Sequence, residues 1–214
     1  MKVFVVGSNG QIGQQLIQLL KNSEEHTVLA MVRKQEQADK LSAQGVDTVL
    51  ADLEGTVDSI ANAAMGCDAI VFAAGSGGTT GHDKTLLIDL DGAGKTIEAA
   101  QKAGIDRFIM VSAIQANNRA NWHDNILPYY AAKHYADKVL ELSGLTYTII
   151  RPGILKNEPG TGKISAAENI TSGNIAREDV AQVIMASLSE KNTYNRSFDL
   201  IAGEIAIPEA LSRL

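Results

Sequence analysis

Apolar and polar residues along this chain form two alternating kinds of segment. Short runs of Val, Ile, Leu, Phe and Ala are too continuously apolar to alternate residue by residue, and they predict β-strands buried on both faces. The longer segments between them carry apolar residues at helical spacing and predict α-helices. The predicted strands cover residues 2–6, 27–32, 46–51, 69–73, 108–111, 146–150 and 196–201. The predicted helices include residues 16–20 and cover 36–44, 56–64, 86–103, 128–142, 177–188 and 208–214.

Strand and helix alternate along the whole chain, and this order predicts an α/β fold. Because the strands are apolar throughout, we expect a doubly wound parallel sheet with helices on both faces, in three layers. No linker, repeat or low-complexity tract interrupts the order, so residues 1–214 are expected to form a single domain. Residues 154–175 show no strong pattern, and residues 154–214 are expected to be a smaller C-terminal portion on the substrate side.

The first strand leads directly into glycines at three-residue spacing and then into the first helix. In such a turn one glycine permits the tight bend, another lets the backbone approach a phosphate, and a third lets helix and strand pack closely. The helix N-terminus then attracts the anion. The spacing departs from G-x-G-x-x-G, because Ser8 stands where that motif has its first glycine. A purely structural turn is the alternative. The residues expected to bind a dinucleotide pyrophosphate are Gly7, Ser8, Asn9, Gly10, Gln11, Ile12 and Gly13.

The second strand ends in two basic residues, Arg33 and Lys34, and Arg33 lies 20 positions after Gly13. An NAD-specific site usually has Asp or Glu near this position for the ribose 2′-hydroxyl, whereas Arg suits a 2′-phosphate. A guanidinium can hold a phosphate by two parallel hydrogen bonds. We therefore expect NADP(H) rather than NAD(H), although NAD(H) stays possible and both residues could simply be solvated.

Small residues follow the fourth strand, at Ala73, Ala74 and Gly75. Ligands of parallel α/β sheets bind at the carboxyl edge, where small residues let a ligand lie against the backbone. Residues 75–83 are too glycine-rich for regular structure and predict a mobile loop beside the cofactor, suited to act as a gate.

Three further residues suggest acid–base chemistry at the same edge. Tyr129 and Lys133 are four apart on one predicted helix and share a face, and Ser112 ends the fifth strand. A nearby ammonium and the helix N-terminus should lower the pKa of the phenol, and Ser112 could hydrogen-bond a substrate oxygen. Such a set suits hydride transfer to or from a carbonyl. The tyrosine could instead only pack the helix, and Lys133 could be a surface charge or bind the nicotinamide ribose.

Composition excludes several other classes of function. The chain has 19 Lys and Arg against 25 Asp and Glu, a net charge of −6, and no basic stripe, which argues against a nucleic-acid partner. No apolar stretch approaches the length of a membrane span, and the first strand begins without a signal peptide. A small-molecule substrate is therefore the expected partner, while the sequence leaves the oligomeric state open.

The cysteine and histidine residues indicate neither a disulfide nor a metal site. The single cysteine, Cys67, excludes an internal disulfide and fits a reducing cytoplasm, where we expect this protein. The four histidines are scattered without metal-ligand spacing, so no metal site is expected.

Taken together, these residues resemble the atypical short-chain dehydrogenase/reductase group. That group includes NmrA-like proteins, biliverdin- and flavin-reductase-like proteins, and a YhfK-like bacterial subgroup described as NAD-dependent epimerases/dehydratases. The resemblance covers nearly the whole chain and implies an NAD(P)-binding Rossmann fold with a sheet of about seven strands.

The resemblance also implies roles for individual residues. Asp52 and Leu53 correspond to the family's adenine contact, and residues 73–75 to the stretch that passes under the ribose. Pro152, within residues 151–153, belongs to the segment that reaches the nicotinamide amide. The serine, tyrosine and lysine described above resemble the catalytic set.

We therefore expect an NADP(H)-binding oxidoreductase that transfers hydride to a small carbonyl, quinone or flavin-like substrate. Specificity should lie in residues 76–85, 114–127 and 154–175, where Trp122 and His123 could line the pocket or cover apolar surface. One alternative is a non-catalytic NADP(H)-sensing regulatory protein, as some NmrA-like members are. Another is an NAD-dependent epimerase/dehydratase, against which Arg33 argues.

Overall fold

A mostly parallel sheet forms the centre of the molecule, and the computed structural model describes residues 1–214. Nine strands are joined in the order β11-β8-β10-β6-β5-β4-β1-β2-β3, and β7 pairs with β9 in a separate two-stranded sheet. The strands are β1 (Lys2–Val6), β2 (Thr27–Val32), β3 (Asp47–Leu50), β4 (Ala69–Phe72), β5 (Arg107–Val111), β6 (Thr146–Pro152), β7 (Ile154–Lys156), β8 (Lys163–Ala167), β9 (Asn174–Ala176), β10 (Arg196–Ala202) and β11 (Ile205–Ala206).

Helices cover both faces of this sheet. They are α1 (Gln11–Lys21), α2 (Gln35–Ser42), α3 (Val57–Ala64), α4 (His82–Lys84), α5 (Gly92–Ala103), α6 (Leu127–Glu141), α7 (Arg177–Ser187) and α8 (Ile207–Ser212). A π-helical turn, Thr85–Asp91, joins α4 to α5, and short 3₁₀ turns cover Arg119–Asn121, Asp124–Ile126 and Lys191–Thr193. No helix is long and apolar enough to cross a lipid bilayer.

The expected α/β Rossmann fold is confirmed, with seven parallel strands in the order β3-β2-β1-β4-β5-β6-β10. Two further strands extend it, because β8 pairs antiparallel with β10 and β11 pairs antiparallel with β8. The segment 154–175, which shows no strong pattern in the sequence, contributes β7 and β8. These strands are short and only partly buried, so they lack the continuous apolar runs of the central strands.

The core has one half on each face of the sheet, as the continuously apolar strands require. Val3 and Val5 of β1 pack with α1 and α7 on one face, and Phe4 and Val6 pack with α3 and α5 on the other. The order 3-2-1-4 places β1 beside β4 although α1, β2, α2, β3 and α3 separate them in sequence. Such a switch point opens a crevice at the carboxyl ends of the strands, where ligands of these folds bind.

The predicted loop 75–83 is shorter in the structure than the sequence suggests. Helical structure begins at His82 and continues through the π-helical turn Thr85–Asp91, so the irregular stretch ends at Gly81. Glycines dominate only up to that residue, and beyond it the side chain of Lys84 is held by Glu54 at 2.7 Å. The π-helical turn contains Asp89, whose side chain is fully buried in the protein interior.

Candidate functional site

A cleft of about 450 Å³ opens at the carboxyl ends of β1, β2 and β4. It lies at the switch point of the sheet, where the sequence predicts a dinucleotide site. The predicted binding residues that line it are Gly7, Ser8, Asn9, Gly10, Arg33, Leu53, Ala73, Ala74 and Gly75. The predicted binding residues that do not line it are Gln11, Ile12, Gly13, Lys34, Asp52, Lys133 and Pro152. Ser76, Thr80 and Lys84, from the segment 76–85 in which the sequence predicts specificity, also line it. Sequence reasoning did not identify Gln37, Glu54 and Ile88, which line it as well.

Steric contacts require two of the glycines in the turn. Gly7 has a φ of +90°, and a Cβ atom there would lie 2.5 Å from the backbone nitrogen of Ala74. A Cβ atom at Gly13 would overlap the carbonyl group of Gly7. The turn is thus packed between α1 and the end of β4. Because its glycines have no side chains, its backbone forms the floor of the cleft.

The N-terminus of α1 is free to accept an anion. Gly10 is its N-cap residue, no side chain caps it, and its first turn holds no acidic residue. Backbone N–H groups at the start of a helix have no partner within the helix, and they carry partial positive charge. Gln11, Ile12 and Gly13 can therefore contribute to anion binding through their backbone, although they do not line the cleft.

Ser8 is buried, and its hydroxyl donates a hydrogen bond to the carbonyl oxygen of Met31 at the end of β2. The side chain is thus used to join the glycine turn to the second strand. Its backbone still faces the cleft, so a phosphate contact from Ser8 would come from the main chain.

Arg33 lines the cleft at the end of β2, and its exposed guanidinium has no ion-pair or hydrogen-bond partner. The side-chain oxygen of Gln37 accepts hydrogen bonds from the backbone N–H groups of Arg33 at 3.1 Å and Lys34 at 3.3 Å. Gln37 therefore fixes the backbone from which the guanidinium projects. Lys34 is exposed outside the cleft and precedes α2 as its N-cap residue.

The rim opposite the glycine turn comes from the segment after β3. Leu53 is buried against the cleft, whereas the exposed Asp52 turns its carboxylate back to accept a hydrogen bond from the backbone N–H of Glu54 at 3.0 Å. Glu54 in turn forms a 2.7 Å ion pair with Lys84 of α4. The ion pair links two sides of the cleft entrance.

Lys133 lies next to the cleft wall and is almost fully buried. Its ammonium lies 3.5 Å from the carbonyl oxygen of Ala74, 3.3 Å from that of Val111 and 3.2 Å from Oδ1 of Asp89. Burial alone would lower the pKa of Lys133, but Tyr129 and Asp89 together with Asp137 raise it. The interpretation of Lys133 as a solvated surface charge is therefore wrong.

Tyr129 is half-buried on the same face of α6, with its ring centre 5.8 Å from the Lys133 ammonium. Burial raises the pKa of the Tyr129 phenol above its ordinary value. The Lys133 cation works in the opposite direction, and the negative charge of Asp89 offsets it. The expected net lowering of the Tyr129 pKa is thus wrong for this structure.

Ser112 is buried at the end of β5, and its hydroxyl has no hydrogen-bond partner of good geometry. Asp137, one turn beyond Lys133 on α6, forms a buried ion pair with Arg151 at 2.9 Å. Burial raises the pKa of the Asp137 carboxyl, while the Arg151 cation and the nearby Ser112 hydroxyl lower it. Pro152 is buried at the end of β6, where its carbonyl accepts a hydrogen bond from Ile114.

The structure therefore brings Ser112, Tyr129 and Lys133 together next to the cleft and adds Asp89 and Asp137 to them. A continued four-residue spacing from Tyr129 could have indicated Asp137. Sequence reasoning did not identify Asp89, which lies in the π-helical turn and is fully buried there.

Trp122 covers apolar surface. Its ring stacks on Tyr130 at 5.9 Å, and its Nε1 donates a hydrogen bond to the carbonyl oxygen of Ala116 at 3.2 Å. His123 is exposed, and its Nδ1 accepts a hydrogen bond from the backbone of Asn125. Neither side chain lines the cleft.

Gln115 is a buried residue whose hydrogen bonds join several segments of the chain, and sequence reasoning did not identify it. Its backbone has a φ of +58°, and its side-chain nitrogen donates hydrogen bonds to Asp199, Asn169 and the carbonyl oxygen of Ile170. Its side-chain oxygen accepts a hydrogen bond from Asn121 at 2.6 Å. These hydrogen bonds join two segments in which the sequence predicts specificity.

Comparison with known proteins identifies the family to which the chain belongs. Residues 7–191 match a family described as NAD(P)H-binding. The protein named uncharacterized sugar epimerase YhfK of Bacillus subtilis is 63% identical over 214 residues, which cover 100% of both chains.

Solved structures extend the comparison. An NAD-dependent epimerase/dehydratase, so named, from Bacillus halodurans superposes with a TM-score of 0.94 at 43% identity, over 100% of both chains. The anaerobillin reductase ChuY of Escherichia coli O157:H7 superposes with a TM-score of 0.83 at 24% identity, over 96% of this chain and 98% of that one. The second likeness supports the fold alone.

Proposed function

Because this chain belongs to the NAD(P)H-binding family, we propose that it is an NADP(H)-dependent oxidoreductase of the atypical short-chain dehydrogenase/reductase type. Its substrate in this proposal is a small carbonyl, quinone or flavin-like molecule. The observation that carries the proposal is a single cleft with a bare glycine turn on its floor and the unpartnered guanidinium of Arg33 on its rim.

The residues present fit a nicotinamide dinucleotide. Backbone at the glycine turn and the uncapped start of α1 suit its pyrophosphate, and Arg33 suits a 2′-phosphate. The apolar side chain of Leu53 suits an adenine, and the small residues 73–75 leave room for a ribose against the backbone. In this proposal residues 1–214 act as one cofactor-binding domain, with residues 154–214 as its substrate-side portion.

A bound nicotinamide would supply or accept the hydride. In the proposed mechanism the Ser112 hydroxyl, which lacks a partner in the protein, hydrogen-bonds the substrate oxygen. Tyr129 exchanges a proton with that oxygen, and Lys133 fixes the position of Tyr129 and contacts the ribose. The ribose contact requires the ammonium to exchange one of its three present acceptors for a ribose hydroxyl.

Calorimetric titration with NADPH and NADH tests the cofactor assignment. We expect tighter binding of NADPH, and Arg33→Ala should remove about 1.5–3 kcal/mol of NADPH affinity, since a charge-assisted contact to phosphate is lost. The same change should leave NADH affinity nearly unaltered. Lys21→Ala, a basic residue at the far end of α1, is the charge-matched control and should bind both cofactors as the original chain does. Equal affinities for the two cofactors would contradict the NADP(H) assignment.

The names of two relatives favour a second candidate, an NAD-dependent epimerase or dehydratase. That reaction keeps its cofactor bound through the cycle, so purified protein should then release NAD⁺ on denaturation. Release of NADP⁺, or of no cofactor, together with oxidation of added NADPH by a quinone or flavin, would favour the oxidoreductase.

Tyr129→Phe distinguishes an enzyme from a cofactor sensor. We expect it to remove most turnover while cofactor affinity stays within about threefold, because the lost hydroxyl serves proton transfer. Tight cofactor binding without turnover of any quinone, flavin or carbonyl would instead favour the sensor.

A further inference from the structure

Asp89 contacts both the cleft wall and the catalytic cluster. Its Oδ2 accepts a hydrogen bond from the backbone N–H of Ser76 at 3.0 Å, and Ser76 lines the cleft. Its Oδ1 lies 3.2 Å from the Lys133 ammonium and has no other partner. Both side chains are nearly inaccessible to solvent, with exposures of 0% and 4%. The Asp89 carboxylate therefore belongs to a buried ion pair that contacts two parts of one site, and not to a surface ion pair.

Three protein oxygens lie within 3.5 Å of the Lys133 ammonium. Two acceptors are the carbonyl oxygens of Ala74 and Val111, and the third is Asp89. The first of these carbonyls belongs to the cleft wall. The ammonium is therefore fixed in position, and only Asp89 among its three acceptors carries a countercharge.

Neutralisation of the Lys133 charge by Asp89 changes the electrostatic potential at the Tyr129 phenol. The charged and titratable groups that act on its phenol are Lys133, Tyr130 and Asp137 from α6 and Asp89 from the π-helical turn. An isolated cation at the Lys133 position would favour the phenolate. A neutral Lys133–Asp89 pair exerts little net field, so burial then dominates and keeps the phenol protonated.

We propose that Asp89 is a positioning residue that holds the Lys133 ammonium at the cleft wall and cancels its charge, so that Tyr129 acts as a neutral proton donor. The inference rests on the proposed function and gives it a direction, the reduction of a carbonyl. The carbonyl carbon gains a hydride from the reduced nicotinamide, and the carbon–oxygen double bond becomes a single bond. The phenol O–H bond breaks, its proton forms the new O–H bond of the alcohol, and water later returns a proton to the phenolate.

The test follows the Tyr129 phenol by carbon NMR of protein labelled at the tyrosine ring carbon that bears the hydroxyl. The chain has 5 tyrosines, and the resonance that disappears in Tyr129→Phe identifies the right one. In Asp89→Asn, which keeps an acceptor for Ser76, the phenolate fraction of Tyr129 at a fixed alkaline pH should rise about tenfold or more. Asp91→Asn is the matched control, because Asp91 is exposed two residues further on and pairs with Lys95. It should leave the Tyr129 titration unchanged.

The double variant Asp89→Asn with Lys133→Met covers the case in which the single variant does not fold. It removes both charges and leaves no buried unpaired ion, so Tyr129 should titrate as in the original chain. A Tyr129 phenol that is harder to ionise in the double variant, or an unchanged phenol in Asp89→Asn, would overturn the inference.

The NMR measurement needs neither cofactor nor substrate, so its result is separable from that of the proposed function. Where a reducible quinone or carbonyl is found, a second readout applies. The alkaline fall in reduction rate should move to lower pH in Asp89→Asn, whereas a purely structural role of Asp89 would lower the rate equally at all pH values. A larger phenolate fraction of Tyr129 in Asp89→Asn, found in a protein that reduces no substrate with NADPH, would support the role of the ion pair. The same pair of results would reject the proposal that the protein is an oxidoreductase.

Discussion

A side chain at position 13 has no space in this structure, because its Cβ atom would overlap the carbonyl group of Gly7. Gly13→Ala must therefore push α1 away from the glycine turn. We expect a loss of about 1–3 kcal/mol in the free energy of unfolding, as for other overpacked sites, and weaker NADPH binding because the turn shifts. Urea unfolding followed by circular dichroism measures the first effect, and calorimetry the second.

Gly94→Ala is the matched control for this prediction. Gly94 lies in α5, and a Cβ atom there would meet nothing within 4 Å. Alanine should therefore stabilise the protein by about 0.5–1 kcal/mol, because it restricts the unfolded chain and favours the helix. Destabilisation at both positions would show that crowding at Gly13 is not the cause.

The residues of the cofactor cleft were largely predictable because they follow a regular strand-to-helix unit at fixed spacing. Gly7, Gly10 and Arg33 line the cleft as their positions along the first two strands suggest. Asp89 and Gln115 were not predicted, because no motif around either residue marks its polar side chain as buried. The first lies in a π-helical turn, and the second has a positive φ that ordinary side chains seldom adopt.

At the scale of elements, α6 and β6 are joined by the buried ion pair between Asp137 and Arg151. The guanidinium also donates a hydrogen bond to Ser197 at 3.1 Å. Arg151→Met would leave the Asp137 carboxylate buried without its cation. We expect a loss of about 3–5 kcal/mol in the free energy of unfolding at neutral pH. Arg196→Met is the control, and should change it by less than about 0.5 kcal/mol, because Arg196 pairs with Glu168 in solvent.

The Arg151→Met penalty should also depend on pH. Burial already raises the pKa of the Asp137 carboxyl in the folded protein, and loss of the cation raises it further. A carboxyl with a raised folded pKa favours folding below its unfolded pKa, and this contribution disappears as pH rises through the folded pKa. The penalty should therefore be smaller in mild acid, where Asp137 is protonated, than at neutral pH. Urea unfolding at both conditions checks this, and a pH-independent penalty would contradict it.

Elements with a continuous apolar run or with helical spacing were predictable, whereas the partly buried short strands β7, β8 and β11 were not. The seven parallel strands and the main helices follow from continuous apolar runs and helical spacing. The strands β7, β8 and β11 have between two and five residues, and their pairing partners lie elsewhere in the chain. Their stability comes from tertiary contacts, which local pattern does not record.

At the scale of the whole molecule, Gln115 connects segments that are distant in sequence. Its φ of +58° costs a residue with a side chain about 1–2 kcal/mol, whereas glycine adopts it freely. Gln115→Ala and Gln115→Gly both lose the side-chain hydrogen bonds to Asp199 and Asn169, and both keep the backbone hydrogen bond to Asp199. We nevertheless expect Gln115→Gly to be the more stable variant by about 1 kcal/mol in urea unfolding.

Gln18 in α1 is the control, because its backbone is helical and the Gly and Ala variants should have the opposite order of stability there. Gln18→Gly should be less stable than Gln18→Ala by about 1 kcal/mol, the usual order for an exposed helix position. The same order at both positions would contradict the strain assigned to Gln115.

The two edges of the nine-stranded sheet are both short. One edge strand, β11, has 2 residues, and the other, β3, has 4 residues and begins with a charged Asp47. Unpaired backbone at a sheet edge is a template on which strands from other molecules can assemble, and proteins limit this hazard with short or charged edges. The antiparallel additions β8 and β11 therefore also protect the folded protein against edge-to-edge aggregation, since β8 pairs with the longer strand β10 and the two-residue β11 pairs with β8.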